Sequence, residues 1–412
     1  MNGVSWRLCK GKASCFAVVV LVTISSFLYG HYRLSGLVGA GEKPRISTLL
    51  RSDLKDRGSE ELSRSPWNQA NGERLSKEEK DDVVEEEDVL VDRVDLRMQK
   101  KERKCPSSLR KKIESHERLK ALFSFEIPVL MWNGHLNDSE WQRLQHSPPP
   151  YGWQGLPYKV VSSTLSLLND SAYGTLFPDK PESHCIRCAV IGNGGILNGS
   201  RQGRAIDDHD FVFRLNGAVM SGFEEDVGTK TSFYGFTTNT MKNSLIAYRQ
   251  MGFRRVPQGK NVRYIFIPSE IRDYVMLYSA IQGIPVPFGQ DNGDKPWVYF
   301  GFNRKPKMFR MLHPDFIHYI KERFLNSSLL KMEYKDLYMP STGALLLLTA
   351  LHTCDEVSAY GFITDNFRKF SDHYYDRVKR PLVFYANHDM QLESRFWKLL
   401  NSLGVMRLYQ RP

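Results

Sequence analysis

Several common function classes fall to what the sequence lacks. Cysteine is scarce, with six in 412 residues: Cys9, Cys15, Cys105, Cys185, Cys188 and Cys354. Cys185-Ile-Arg-Cys188 has no second Cys-x-x-Cys and no histidine pair at ligand spacing, so a structural zinc site is excluded. Glycine is missing where a dinucleotide fingerprint requires it. After Gly192-Asn193-Gly194 the third glycine should stand at 197, and Leu197 is there, which argues against an oxidoreductase. The chain is basic, at +11, yet has no concentrated Lys/Arg stripe, which argues against nucleic acid as a partner. There is no internal repeat, and no low-complexity tract beyond residue 104.

Charge is also missing from residues 13 to 29, which follow Arg7, Lys10 and Lys12. That length is near the lower limit for a spanning helix, and the preceding cations place the amino terminus in the cytosol. The expected organisation is a cytoplasmic tail (1–12), a signal-anchor transmembrane helix (13–30), a flexible stem (31–104) and a lumenal catalytic domain (105–412). A cleaved signal peptide is the alternative reading; the small residues of Gly36-Leu-Val-Gly-Ala-Gly41 sit late for it, beyond Arg33. The stem has few aromatics, and from Lys77 to Asp92 it has nine acids against two lysines. Such a segment buries too little apolar surface to offset its chain entropy.

The 308 residues from Cys105 to Pro412 suffice for one large α/β domain. They hold 38 basic and 29 acidic residues, a net +9 that suits an anionic substrate such as a sugar nucleotide. In an oxidising lumen the four cysteines of this part form two disulfides, and three pairings are open. Asn-x-Ser/Thr acceptor patterns stand at Asn137, Asn169, Asn198 and Asn326.

Within this domain the run Cys188-Ala-Val-Ile191 is apolar without alternation, as in a strand buried on both faces. Gly192-Asn193-Gly194-Gly195 follows, a loop whose backbone can approach a ligand closely. Phe211-Val-Phe213 leads into Arg214-Leu215-Asn216, and Ser232-Phe-Tyr-Gly-Phe236 reads as a third strand. Strand, glycine loop, strand is how a nucleotide site opens in α/β folds. Tyr264-Ile-Phe-Ile-Pro268 reads as a further strand, and helices are predicted over Glu270–Gln282 and Asp315–Leu325. Pro148-Pro-Pro-Tyr-Gly-Trp153 reads as a stiff aromatic cover over the domain edge.

Pro340-Ser341-Thr342-Gly343 precedes the apolar run Ala344–Leu351. This is the start of a capped helix, whose free N–H groups can bind an anion. Cys354-Asp-Glu-Val-Ser-Ala-Tyr-Gly-Phe362 then gives a helix end, a short strand and a glycine turn. His373-Tyr374-Tyr375-Asp376 and His388, with Glu393 five residues on, complete the candidates. On an ideal helix Glu393 would stand off the face of His388, so it is read as support rather than chemistry.

Taken together, these stretches resemble the four sialyl motifs of the animal sialyltransferases, glycosyltransferase family 29, in their correct order from 185 to 393. The wording of the first motif, and of Phe236–Asn243 and Ile271–Met276, is similar to the branch that builds α2,6 linkages on N-acetylgalactosamine. The resemblance implies a variant GT-A fold, Rossmann-like and α/β, with a mostly parallel sheet flanked by helices. It implies transfer of sialic acid from CMP-sialic acid to O6 of N-acetylgalactosamine in O-glycans of glycoproteins, by a single inverting displacement in the Golgi membrane. Asn193 and Asn216 would hold the nucleotide and phosphate, and Ser341, Thr342 and Gly343 the donor. His388 would be the general base, and His373 would meet the departing phosphate. The pairing would be Cys188–Cys354, leaving Cys105–Cys185. Asp207-Asp208-His209-Asp210 imitates a metal-binding Asp-x-Asp, but the donor carries a single phosphodiester. The cluster is therefore read as turn and cap chemistry, with no metal or cofactor needed. Two alternatives remain: a sialyltransferase of another linkage or acceptor, and a catalytically silent lumenal glycan-binding protein on the same fold.

Overall fold

The computed structural model describes residues 105–177, 185–302, 304–331, 338–385 and 387–412. The expected anchor and stem lie outside the described residues. Among the described residues no helix is long and apolar enough to cross a membrane.

Seven strands form one sheet: β1 (Arg187–Ile191), β2 (Phe211–Leu215), β3 (Phe233–Phe236), β4 (Arg263–Phe266), β5 (Phe309–Met311), β6 (Glu356–Tyr360) and β7 (Arg407–Leu408). Their order is β5-β4-β3-β2-β1-β6-β7, and every pairing is parallel. Parallel sheets need both faces covered, which is why the strand runs are continuously apolar. Along β1, Cys188 and Val190 enter one core cluster while Ala189 and Ile191 enter the other.

The first face is covered by α4 (Pro314–Arg323), α5 (Thr342–Thr353) and α6 (Met390–Ser402). Helix α5 is apolar nearly all round, with Ala344 to Leu351 buried, and packs against β1, β2, β3 and β6. A helix of that kind belongs at the centre of a core. The other face carries α1 (Tyr158–Leu165), α2 (Thr238–Ala247) and α3 (Ile271–Gln282). Trp153 of the proline-rich segment is buried there and donates its indole N–H to the Tyr274 hydroxyl at 3.0 Å, so this segment packs as a cover.

Two disulfides hold this arrangement. Cys188 in β1 joins Cys354 at the carboxyl end of α5, across 166 residues of sequence. Cys105 joins Cys185, just ahead of β1. Of the three pairings the sequence allows, this is the one the family resemblance implies.

The chain adds β1 to β5 outward in one direction, then crosses back through α4 and α5 to lay β6 on the other side of β1. β1 and β6 are neighbours whose connections lead to opposite sides of the sheet, and an open α/β sheet has its ligand crevice at such a switch point.

Candidate active site

At that switch point the glycine loop leaves β1 against the loop that leaves β6. Gly192 N–H donates to the Tyr360 carbonyl at 2.7 Å, and Gly194 N–H to the Gly361 carbonyl at 3.0 Å. A Cβ on either glycine would stand 2.6 Å from the Gly361 oxygen, so no side chain fits at 192 or 194. Gly361 itself has φ of +72°, a conformation that favours glycine.

His373 is laid directly on this loop. It forms an isolated antiparallel bridge with Gly194, and Tyr374 N–H donates to the Asn193 carbonyl at 3.1 Å. The imidazole stacks on Tyr375, with centroids 5.0 Å apart, and leans on Tyr248 at 5.2 Å. Its Nδ1 stands 3.4 Å from the Asp372 carboxylate and 4.0 Å from that of Asp376. Burial raises the pKa of Asp372, and the charge of His373 opposes that rise. Asp376 also accepts the His373 backbone N–H at 2.8 Å and the Ser371 hydroxyl at 2.6 Å, which fixes the segment.

The two asparagines end neighbouring strands. Asn193 donates its side-chain amide to the Leu215 carbonyl at 3.4 Å. Asn216 adopts φ of +46°, a left-handed conformation asparagine tolerates, and its carbonyl accepts from the Tyr234 hydroxyl at 2.7 Å. The Oδ1 atoms of both residues are buried and have no protein partner among the described residues. Orphaned buried polar atoms are rare, and two at one crevice mark a place built to receive hydrogen bonds from something else.

The start of α5 lies beside the same loops, since a Cβ on Gly343 would touch the ring of Phe362 at 3.4 Å. Ser341 caps the helix by accepting from Ala344 N–H at 3.0 Å. The N–H groups of Thr342 and Gly343 have no partner among the described residues. Free amides at a helix amino terminus, reinforced by the helix dipole, favour an anion. Ser341 differs from its neighbours, because its own N–H and hydroxyl both donate to Glu393, at 2.9 and 2.7 Å. A small cavity of about 30 Å3 between the loops is lined by Gly194, Gly195, Phe362, Thr364, Phe370 and Asp372.

His388 stands ahead of α6, not on it, because Asp389 is the residue that caps that helix. The ideal-helix spacing used to place Glu393 therefore does not apply. Glu393 lies in the first turn and reaches Ser341 instead. The imidazole Nδ1 of His388 lies 2.8 Å from the Met339 carbonyl, an acceptor only, so Nδ1 carries the proton. Nε2 then keeps its lone pair and accepts from the Asn387 side-chain amide at 3.3 Å. Burial lowers the pKa of His388, which keeps the ring neutral with an unprotonated Nε2. Met339 N–H closes the link by donating to the Asn387 carbonyl at 3.0 Å. His388 is thus tied to the residues just before α5, and His373 to the glycine loop. No hydrogen bond or ring contact joins the two histidines among the described residues. Sequence reasoning passed over Met339, Asn387 and Tyr248. Only Asn387, a polar residue next to a candidate base, carried any local mark.

The acidic cluster has other work. Asp207 accepts from Thr229 N–H at 2.8 Å, Lys230 N–H at 2.9 Å and the Thr229 hydroxyl at 3.0 Å. Asp210 accepts from Arg187 N–H at 2.8 Å. All four acceptor asparagines, Asn137, Asn169, Asn198 and Asn326, are exposed. Asn137 caps a short helix through Glu140 N–H, and the side-chain amide of Asn198 donates to the Tyr374 carbonyl at 2.7 Å.

Comparison with known proteins agrees with this geometry. The mouse alpha-N-acetylgalactosaminide alpha-2,6-sialyltransferase 2 is 60% identical over 76% of this chain and 84% of its own length. The chicken alpha-N-acetylgalactosaminide alpha-2,6-sialyltransferase 1 is 46% identical over 74% of this chain and 55% of its own. The crystal structure of a mammalian sialyltransferase superposes with a TM-score of 0.51 at 27% identity, covering 71% of this chain and 94% of that one. Residues 130–405 match glycosyltransferase family 29 (sialyltransferase), and the chain belongs to that family.

Proposed function

We propose that this protein transfers sialic acid from CMP-sialic acid to O6 of N-acetylgalactosamine in O-glycans on Ser/Thr of glycoproteins. The observation that carries the reading is the pair of orphaned Oδ1 atoms, on Asn193 and Asn216, beside the free amino terminus of α5 at the switch point. The acceptor and linkage in the names of the relatives support the choice of both.

In this reading Asn193 and Asn216 receive hydrogen bonds from the nucleotide. Thr342 and Gly343 turn their N–H groups to the phosphate or to the sialic acid carboxylate. Ser341 shapes that site through Glu393 and the cap rather than by its own hydroxyl. The acceptor O6 attacks the anomeric carbon as the bond to the phosphate oxygen breaks, inverting the centre. The O6 proton passes to Nε2 of His388, whose Nδ1 proton is fixed by Met339. His373 meets the negative charge that grows on the departing phosphate. No metal is required, because a monophosphate leaving group develops less charge than a diphosphate. Residues 13–30 anchor the chain in the Golgi membrane as a single-pass type II protein, with residues 105–412 in the lumen. Protease protection in sealed vesicles tests that topology, and digestion of the domain there would refute it.

The deciding experiment is an acceptor panel with product linkage analysis. Transfer to O6 of N-acetylgalactosamine is expected. Product on galactose, or at another hydroxyl, would overturn the acceptor assignment, and absence of donor hydrolysis would identify a silent glycan-binding protein.

A further inference from the structure

The sheet has a second pole. At the amino ends of β2 to β5, opposite the glycine loop, lies a cavity of about 630 Å3. Strands of three to five residues, at about 3.3 Å per residue, separate the two poles by roughly 10–16 Å. The cavity is lined by Lys230, Lys260, Arg263, Lys307 and Arg310 against two carboxylates, Asp170 and Asp210. Both carboxylates have partners of their own: Asp170 caps Ala172 N–H at 2.8 Å, and Asp210 accepts from Arg187 N–H at 2.8 Å and pairs with the Arg187 guanidinium at 3.5 Å.

Arg310 is the unusual member. It is only 2% exposed, and its guanidinium meets neutral groups alone. Nε donates to the Thr175 carbonyl at 3.0 Å, and Nη1 to the carbonyls of Lys307 and Phe309 at 3.0 and 2.8 Å. The cation lies 5.2 Å from the centroid of the Tyr173 ring. No carboxylate bonds or pairs with it among the described residues. Burial and the neighbouring Arg263 push its pKa down to about 10, the mark of a cation without a counterion. A buried charge is costly unless an opposite charge accompanies it, and neither the catalytic face nor the core uses this one. Lys260 and Lys307, both exposed, add mobile positive charge around the same space.

We propose that this cavity is a second anion site, which binds a tetrahedral oxyanion, the phosphate or sulfate ester of a small molecule. Arg310 supplies the fixed buried charge, and Lys260 and Lys307 supply charge at the surface. The volume is that of a small-molecule pocket, about 300–1,000 Å3. The same chemistry would hold a nucleotide phosphate or a sulfated sugar.

The test uses the full-length protein in detergent. Its thermal midpoint is followed with inorganic phosphate against chloride at equal ionic strength, because a ligand of the native state raises the midpoint with ln(1 + [L]/Kd). A Lys260→Glu, Lys307→Glu double variant is compared; both side chains are exposed and lie outside the transfer machinery. The expected result is a phosphate-specific rise in the wild type that falls by at least half in the variant, with sialic acid transfer unchanged. Adenosine 5′-monophosphate and N-acetylglucosamine 6-sulfate form the second arm. Whichever acts at tenfold lower concentration than inorganic phosphate names the source, and equal potency names a free oxyanion. Arg310→Gln should abolish the rise where it folds; the lysine variant decides if it does not. Equal midpoint shifts in wild type and double variant, or no shift in either, would overturn the site.

Discussion

Glu393 accepts both polar hydrogens of Ser341, the amide at 2.9 Å and the hydroxyl at 2.7 Å. The same hydroxyl caps α5 through Ala344 N–H, so one carboxyl on α6 positions the amino terminus of another helix. Glu393→Ala would leave two half-buried donors unpaired, and a fully buried group of this kind costs about 1–3 kcal/mol, an upper bound here. Denaturant unfolding should show a loss of up to that size, and steady-state kinetics a donor KM that rises more than kcat falls. Wild-type stability in the alanine variant would show that the pair carries no load.

The carboxyl of Glu393 is fully buried, and burial pushes its pKa up to about 7 from 4.5. Between those values the native state holds a proton that the unfolded chain has released. The contribution is complete below about pH 4.5 and is lost as pH rises through about 7. Glu393→Gln, neutral at every pH, should flatten that part of the stability–pH curve. An unchanged slope in the glutamine variant would assign it to other groups.

Much of this architecture is legible before any coordinates. The apolar runs at 188–191 and 211–213 become central strands because both faces of the sheet are covered. Ser341 ahead of an apolar run becomes a capped helix, and α3 and α4 begin within a residue of their predicted starts. Strands β5 and β7, of three and two residues, are too short to show any period, and the neighbouring strands hold them in place. The Glu393–Ser341 and His388–Met339 bonds span 52 and 49 residues, and no local spacing encodes them. The charge of Arg310 is visible in the sequence; its lack of a counterion is a property of the fold alone.

The disulfide between Cys188 and Cys354 ties β1 to the end of α5, and so the two halves of the proposed donor site to each other. A cross-link closing so long a loop contributes about 2–5 kcal/mol. Cys354→Ser should lose that much stability and, with it, donor binding at 37 °C. Non-reducing peptide mapping that found both thiols free in active protein would refute the role.

Asp207 and Asp210 spend their oxygens on backbone N–H groups of Thr229, Lys230 and Arg187. A metal would have to break those bonds before it could bind. Transfer should therefore persist after exhaustive chelation. Activity abolished by chelator and restored by manganese would mean that the loop rearranges into a metal site.

The proton on Nδ1 of His388 is held by Met339, and burial keeps the ring neutral, so Nε2 is the base once its 3.3 Å contact with the Asn387 amide yields to the acceptor hydroxyl. Its folded pKa lies below the ordinary 6.5. The neutral ring is therefore retained above pH 6.5 and lost only as pH falls beneath that value. The acidic limb of kcat/KM, which reports the free enzyme, should accordingly have its midpoint below 6.5. His388→Ala should lower turnover by about 10²–10⁴-fold, the usual contribution of a general base, and remove that limb. Donor affinity should stay within a few-fold, because the donor contacts proposed above come from Asn193, Asn216, Thr342 and Gly343. His373→Ala differs in kind: it removes the group proposed to meet the leaving phosphate, so it should weaken donor binding as well as turnover. A folded His388→Ala protein with near-normal turnover at saturating donor and acceptor would move the base to another residue, and the Met339 contact would then be structural.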